Sequence, residues 1–175
     1  HASIRYYSTV APDLVAQAPS FAVMRDPVER FLSAYGYARS GGARERAISQ
    51  PFRPAYMSFA SVNEALDHVE GARTPYQIDH IFRPQNWYLT DWRGNVAVDR
   101  LLMLDDLGRL AELVPWLKLR ALPHLNRGVS QQDRLTAAQL ARLRRLYSRD
   151  FEMVAAIEGR RRRAVGESDR AFTPP

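Results

Sequence analysis

The first third of the chain contains a short, mostly apolar run that is followed directly by residues typical of a helix start. Residues 20–24 read SFAVM without polar alternation, which predicts a strand covered on both faces in a parallel sheet. Asp26 is a preferred N-cap residue, and Pro27 suits the first helical position, where a missing N–H leaves no partner unsatisfied. Glu29 completes the spacing of a capping box with Asp26. The pattern therefore predicts a strand that leads directly into a helix.

The predicted helix has one apolar and one polar face. Its apolar positions recur at i, i+3, i+4 and i+7, and they are Val28, Phe31, Leu32 and Tyr35. Arg30 and Ser33 are expected on the opposite, free side. Arg25 lies at the joint between strand and helix. Helix N–H groups, a guanidinium and a hydroxyl are thus expected to converge, which is a suitable arrangement for binding an anion.

A second strand-to-helix unit predicts a mixed α/β fold. Residues 100–104, RLLML, form another apolar run, and Asp105 and Asp106 follow it as caps for a helix over residues 107–114. This unit matches a functional pattern only loosely, so we assign it a structural role alone.

Two further capping boxes, Ser61 with Glu64 and Thr136 with Gln139, predict helices that begin at these positions. The first of these helices carries His68 among polar neighbours. We therefore expect His68 on the surface.

The stretch 41–54 separates two predicted helices and is rich in turn-forming residues. Two adjacent glycines open it and two prolines lie near its end, so we expect a long, mobile connection. Two interpretations remain open: a loop that covers an acceptor site, and a disordered excursion without function.

Composition narrows the classes of function. The 175 residues fit one domain with a sizeable core, since 46% are hydrophobic. The net charge of +6 rests almost wholly on arginine, with Lys118 the sole lysine, and arginine suits bidentate recognition of phosphate and sulfate. The lack of cysteine excludes disulfides and thiolate metal sites and is compatible with a cytoplasmic location. No apolar run approaches the ~18 residues of a membrane span.

Residues 25–35, RDPVERFLSAY, resemble the R-x-P-x-x-R-x-x-S-x-Y signature of sulfotransferases that use 3′-phosphoadenosine 5′-phosphosulfate (PAPS). The similarity is greatest to the carbohydrate branch, which includes heparan 2-O- and chondroitin sulfotransferases and their bacterial relatives. The resemblance implies that Arg25 and Ser33 bind the 3′-phosphate of the nucleotide. It also implies an α/β, three-layer fold of the P-loop nucleotide kinase type, with a small parallel sheet between helices.

The amino terminus offers a catalytic candidate. His1 and Ser3 are similar to the family's G-H-x-S-aromatic segment, which implies that His1 is the catalytic base. The alternative is that His1 is only a frayed terminal residue.

Two later segments extend the resemblance. Residues 79–85, DHIFRPQ, are similar to an acceptor-side D-x-H-W-x-P-Q segment, although Ile81 and Phe82 replace the tryptophan. This implies acceptor contacts by His80, Arg83 and Gln85, while a packed aromatic cluster is the alternative. Residues 122–130, LPHLNRGVS, resemble a basic segment that closes over the nucleotide. The contacts implied there are Asn126, Arg127 and Ser130.

The resemblance implies transfer of a sulfuryl group from PAPS to a carbohydrate hydroxyl, with no metal. Residues 1–159 are interpreted as a partial sulfotransferase-like domain and residues 160–175 as a basic, flexible tail. No G-x-x-x-x-G-K-[ST] loop occurs in the chain, so we expect the loop for the 5′-phosphosulfate before His1. Residues 1–175 alone are then expected to transfer sulfate poorly, and membrane association of a longer protein is left open.

The alternative from another class is a non-catalytic module that binds a nucleotide or a polyanion. Specific nucleic-acid binding is disfavoured, because the arginines are dispersed among acids and no helix-turn-helix, ribonucleoprotein or zinc motif occurs. The run Arg160–Arg163 is most simply a solvated helix end, with attraction of a polyanionic glycan, nucleic acid or anionic lipid as the alternative.

Overall fold

The computed structural model describes residues 2–43, 46–115 and 134–170, and within them the chain is mostly helical around a small parallel sheet. The helices are α1 (Ile4–Val10), α2 (Pro12–Gln17), α3 (Pro27–Arg39), α4 (Arg53–Met57), α5 (Val62–Gly71), α6 (Asn86–Leu89), α7 (Leu110–Leu113), α8 (Ala137–Leu146) and α9 (Ser148–Arg170). The strands are β1 (Phe21–Met24), β2 (Gly42–Ala43), β3 (Arg46–Ala47) and β4 (Arg100–Met103). Short 3₁₀ helices cover Pro75–Gln77 and Leu104–Arg109.

β1 and β4 are the two predicted apolar strands, and they pair in parallel. The register begins with Phe21 opposite Arg100. Just before it, the Asp99 carboxylate accepts hydrogen bonds from the Ser20 N–H and hydroxyl, both at 2.7 Å. The mixed α/β prediction is confirmed at this level, and the strand ends at Met24 and Met103 define the carboxyl edge of the sheet.

Helices cover both faces of β4, because neighbouring strand residues point to opposite sides. Leu102 packs with Leu110 and Val114 on one face. Met103 packs with α9 on the other, in a cluster that contains Met24, Met153, Val154 and Ile157. β1 is covered less completely than its sequence predicts, since Val23 is exposed.

A separate aromatic core holds the helices together. It joins α3, α4, α5 and α8 with the irregular segment around residues 78–82. Tyr56 lies at its centre, with the rings of Phe52, Phe59 and Phe82 between 5.2 and 5.7 Å from its own. Residues 78–82 are therefore fixed against α3 by the main core of the protein.

The predicted mobile connection over 41–54 is wrong for its described residues. A β2–β3 hairpin and α4 occupy this region, and Ile48 and Tyr56 are buried in the core. Gly41 has a φ of +73°, and a Cβ there would lie 2.9 Å from the Met57 Sδ. The adjacent glycines thus allow a tight, packed turn, and this stretch is no candidate for a loose cover.

His68 is also placed differently from its prediction. Its ring lies 5.0 Å from the Tyr56 ring and 5.7 Å from the Phe59 ring, and its Nε2 is buried without a hydrogen-bond partner. Burial lowers the pKa of His68. His68 is half-buried in the aromatic core because α5 turns this position inwards.

Three predicted helix starts are confirmed. The side chains of Asp26, Ser61 and Thr136 accept hydrogen bonds from backbone N–H groups in the first turns of α3, α5 and α8. Residues 107–114 are instead divided between a 3₁₀ helix and α7, because the Asp106 carboxylate accepts from the Met103 N–H at 2.7 Å.

The carboxyl-terminal part of the described chain is helical. The sequence predicts a flexible tail from residue 160, whereas α9 continues through Arg170. Arg161 forms an ion pair with Asp106, which ties this helix to the end of the sheet. Among the residues described, none of the helices combines the length and the apolarity needed to cross a membrane.

Candidate functional site

The candidate site lies where β1 ends and α3 begins, at the carboxyl edge of the parallel sheet. Ligands of α/β proteins commonly bind at this edge. The Asp26 carboxylate, however, accepts from the N–H groups of Val28 at 2.8 Å and Glu29 at 3.0 Å. These helix N–H groups are already paired, so the expectation that they bind an anion is corrected. An anion bound at this site would therefore have to be recognised by side chains.

Arg25 directs its side chain along α3. Its Nε lies 3.3 Å from a Glu29 carboxylate oxygen, and the two side chains are 38% and 65% exposed. Residues four apart share a helix face, so exposed Ser33 lies one turn beyond Glu29 on the same side. An exposed ion pair of this kind contributes little to stability. Arg25 is therefore paired only weakly with Glu29, and its guanidinium remains partly exposed.

Gln85 fixes the backbone of Arg25 from a distant part of the chain. Its Oε1 accepts from the Arg25 N–H and its Nε2 donates to the Arg25 carbonyl, both at 2.9 Å. Gln85 is only 8% exposed. The sequence predicts Gln85 as an acceptor contact, whereas the structure uses both ends of its amide to position Arg25.

Gln85 is itself held by a buried acid that the sequence interpretation misses. The Asp150 carboxylate is fully buried and accepts from the N–H groups of Gln85 and Asn86, each at 2.7 Å. Burial raises the pKa of Asp150, against the effect of these hydrogen bonds. A signal was available in the sequence: Asp150 lies among the apolar positions of α8 and α9 that face the core.

A second buried acid organises the neighbouring turn. The Asp79 side chain is 2% exposed, and its Oδ1 lies 2.7 Å from the His80 Nδ1. The Ser49 hydroxyl donates to Asp79 Oδ2 at 2.6 Å, and the Ile81 N–H donates to Oδ1 at 3.1 Å. Burial alone would raise the pKa of Asp79, but the hydrogen bonds from His80, Ser49 and Ile81 together lower it to about 2.

His80 lies directly beside α3. Its carbonyl accepts from Arg30 Nη2 at 3.4 Å and from the Tyr88 hydroxyl at 3.3 Å. Arg30 is half-buried, which corrects its predicted place on the free face. The His80 side chain is 39% exposed. The structure thus brings His80 close to α3, which carries Ser33 and begins two residues after Arg25.

Arg83 orders an aromatic surface at the outer edge of this turn. Its Nε donates to the carbonyls of Pro75 at 2.6 Å and Ile78 at 3.2 Å. Its guanidinium lies 5.6 Å from the Tyr76 ring and 5.3 Å from the Trp87 ring. Tyr76 is 70% exposed. Arg83 therefore stabilises an exposed aromatic surface next to His80.

Several predicted site residues cannot be placed relative to this geometry. His1, Asn126, Arg127 and Ser130 lie outside the described residues. Within the described ranges, no group of three or more histidine, aspartate or glutamate side chains is arranged to hold a metal ion.

A cavity of about 480 Å³ lies elsewhere, beside β4 and the residues that precede it. Asp99, Arg100 and Arg160 contribute its charged lining. It differs from the candidate site in position, because Arg25 and His80 follow the carboxyl end of β1 and the adjoining turn. The candidate site is the latter, because a partly exposed guanidinium, an exposed hydroxyl and a partly exposed imidazole lie on or beside α3 and the turn that precedes it.

Comparisons of the chain with models of protein families, with curated proteins and with solved structures found no match.

Proposed function

We propose that this protein transfers a sulfuryl group from PAPS to a carbohydrate hydroxyl, and that Arg25 and Ser33 bind the nucleotide 3′-phosphate. The observation that carries the proposal is the position of Arg25. Its backbone is clamped by Gln85, while its guanidinium is partly exposed on the face of α3 that includes Ser33. A fixed backbone with an accessible guanidinium suits charge-assisted recognition of a phosphate. The finer fold proposed is the P-loop nucleotide kinase type.

Side chains rather than helix N–H groups carry phosphate recognition in this proposal. The Asp26 carboxylate occupies the first N–H groups of α3 and would repel an anion placed directly on the helix axis. The proposal places the phosphate towards Ser33, where the Arg25 guanidinium and the Ser33 hydroxyl would both bind it. The Arg25–Glu29 pair would open, which costs little because both groups are exposed. On the resemblance alone, Asn126, Arg127 and Ser130 complete the nucleotide contacts.

The acceptor sugar is proposed to bind over the turn that contains His80 and Arg83. Tyr76 and Trp87 offer aromatic faces for a sugar ring, and Arg83 fixes their relative positions. Because Gln85 links this turn to Arg25, a donor at α3 and an acceptor at the turn would be held by one connected set of hydrogen bonds. Such fixed placement is a main source of rate in group transfer.

The second candidate is a non-catalytic module that binds a nucleotide or a polyanion. No G-x-x-x-x-G-K-[ST] or similar loop occurs in residues 1–175, and this favours the second candidate, because in the family resembled a loop with a lysine or arginine and a serine or threonine run holds the 5′-phosphosulfate. Both candidates use the same Arg25 site. Release of labelled sulfate from PAPS to an added oligosaccharide separates them.

Calorimetry with 3′-phosphoadenosine 5′-phosphate (PAP) and 5′-AMP tests the site. The protein should bind PAP more tightly, and Arg25→Ala should remove ~1.5–3 kcal/mol of that preference, a loss of roughly 10- to 150-fold. Arg109→Ala is a matched control, since Arg109 forms a similar exposed ion pair with Glu112 far along the chain. Equal affinity for the two nucleotides, or equal losses in both variants, would contradict the assignment.

A further inference from the structure

The Asp79–His80 pair has the geometry of an oriented base. A carboxylate oxygen 2.7 Å from Nδ1 places the proton on Nδ1, and the lone pair of the neutral ring is then on Nε2. Asp79 is almost fully buried and is held by Ser49 and the Ile81 N–H, so it cannot rotate away without losing these bonds. In nucleophilic catalysis, too, a histidine base is commonly oriented by a further group that binds its other ring nitrogen.

Position distinguishes His80 from the other histidine in the described residues. His68 has its Nε2 buried in the aromatic core, where a sugar hydroxyl cannot reach it. The His80 side chain is 39% exposed, and its backbone is anchored beside α3 by Arg30 and Tyr88. His80 therefore combines a fixed ring with access from outside.

We propose that His80 Nε2 is the proton acceptor in transfer and that Asp79 is its positioning residue. This inference rests on the proposed function and moves the role of base from His1 to His80. The acceptor hydroxyl oxygen attacks the sulfur of PAPS and forms the new S–O bond. The bond from sulfur to the 5′-phosphate oxygen breaks, its electron pair leaves with PAP, and the hydroxyl proton passes to Nε2. The imidazolium, paired with the Asp79 carboxylate, later releases the proton to water.

Ionised Asp79 fits this role at neutral pH. Its hydrogen bonds lower its pKa to about 2, so the carboxylate remains charged throughout the step. The Asp79→Asn substitution keeps the shape of the side chain but makes it neutral. An amide N–H at the former Oδ1 position can donate to His80 Nδ1, at the cost of the hydrogen bond from the Ile81 N–H, which would place the ring proton on Nε2. Asp79→Asn therefore tests orientation and charge with little change in volume.

The tautomer of His80 gives a readout that does not depend on turnover. Nitrogen chemical shifts of the labelled, full chain should show the neutral His80 ring protonated on Nδ1 and unprotonated on Nε2. Asp79→Asn should shift the ring towards the Nε2–H form. Ser49→Ala, which removes the other side-chain partner of Asp79, should leave the His80 tautomer unchanged. A parent protein with its ring proton on Nε2, or an Asp79→Asn variant with unaltered shifts, would overturn the proposal.

Reactivity provides a second measurement. Diethyl pyrocarbonate acylates an unprotonated imidazole nitrogen, and peptide mass spectrometry locates the product. His80 should react roughly fivefold faster or more in the parent than in Asp79→Asn, and Ser49→Ala should react like the parent. Equal rates for parent and Asp79→Asn would overturn the orienting role.

Transfer of labelled sulfate from PAPS to heparosan and chondroitin oligosaccharides tests the step itself. His80→Gln should lower kcat by ~10²–10⁴-fold, and Asp79→Asn should also lower kcat more than it raises KM. PAP affinity should remain intact in both variants. A His80→Gln variant with parental kcat would overturn the proposal. If residues 1–175 transfer no sulfate, the His80 tautomer and its acylation rate test the proposed role of His80. Failure to bind PAP would instead count against the proposed function.

Discussion

The two halves of the candidate site are built in opposite ways. The joint at Arg25 is regular structure, with a strand end, a capped helix and exposed side chains that form weak ion pairs. The turn over residues 79–85 is irregular, and buried acids bind its N–H groups and its histidine. The first half has polar groups accessible to a ligand. The second uses most of its polar groups to fix its own geometry, and so it is suited to precise placement.

Among these substitutions, removal of Asp150 should lower the free energy of unfolding most. Asp150→Ala leaves the N–H groups of Gln85 and Asn86 without their acceptor, and each lost buried partner costs ~1–3 kcal/mol. We expect the free energy of unfolding to fall by about 2–6 kcal/mol in urea denaturation. Asp105→Ala, at an exposed position, is the control and should change stability by less than ~0.5 kcal/mol. Similar losses in both variants would contradict the anchoring role.

Acid should weaken the irregular half through Asp79. Its pKa is lowered from 3.8 to about 2 in the folded protein, so its contribution to stability is present above pH 3.8 and is lost as pH falls through about 2. Urea denaturation should lose about 2 kcal/mol through this group between about pH 5 and pH 2.

Asp79→Asn is the matched variant for this pH dependence. Its stability should fall less steeply over the same pH range, because the titrating group is gone. Asp150 acts in the opposite sense: burial raises its pKa, so the stability it contributes is lost as pH rises. Parallel pH profiles for the parent and Asp79→Asn would show that Asp79 is not the group responsible.

The smallest effect is expected at the regular half. Glu29→Gln removes the carboxylate that pairs with Arg25 and competes with an incoming phosphate. The PAP dissociation constant should fall by about two- to fivefold at low salt, and the gain should shrink as salt screens exposed charges. Glu112→Gln, at the pair with Arg109, is the control. Weaker PAP binding by Glu29→Gln would mean that Glu29 supports the site rather than competes with the ligand.

The same contrast explains what could be predicted from sequence. The ends of β1 and α3 depend on neighbours in the chain, and Asp26 and Pro27 indicate them directly. The partners of Asp79 and Gln85 lie far away: Ser49 is 30 residues from Asp79, and Asp150 is 65 residues from Gln85. Patterns of local periodicity contain no information on such contacts.

The errors have the same cause. Two glycines indicate a loop, but burial of Ile48 and Tyr56 turns that stretch into packed structure. His68 has polar neighbours in sequence, yet its ring meets aromatic side chains from α4 and the segment that follows it. Tertiary packing decides both cases.

Nuclear magnetic resonance with PAP and 5′-AMP locates the 3′-phosphate most directly. Signals that shift with PAP but not with 5′-AMP report contacts of that phosphate. The proposal predicts that these signals include the Arg25 side-chain N–H and the Ser33 backbone N–H, and that Arg109 is unaffected. Shifts confined to residues around Arg100 and Arg160, with Arg25 and Ser33 unchanged, would contradict the assignment of the nucleotide site to the end of β1.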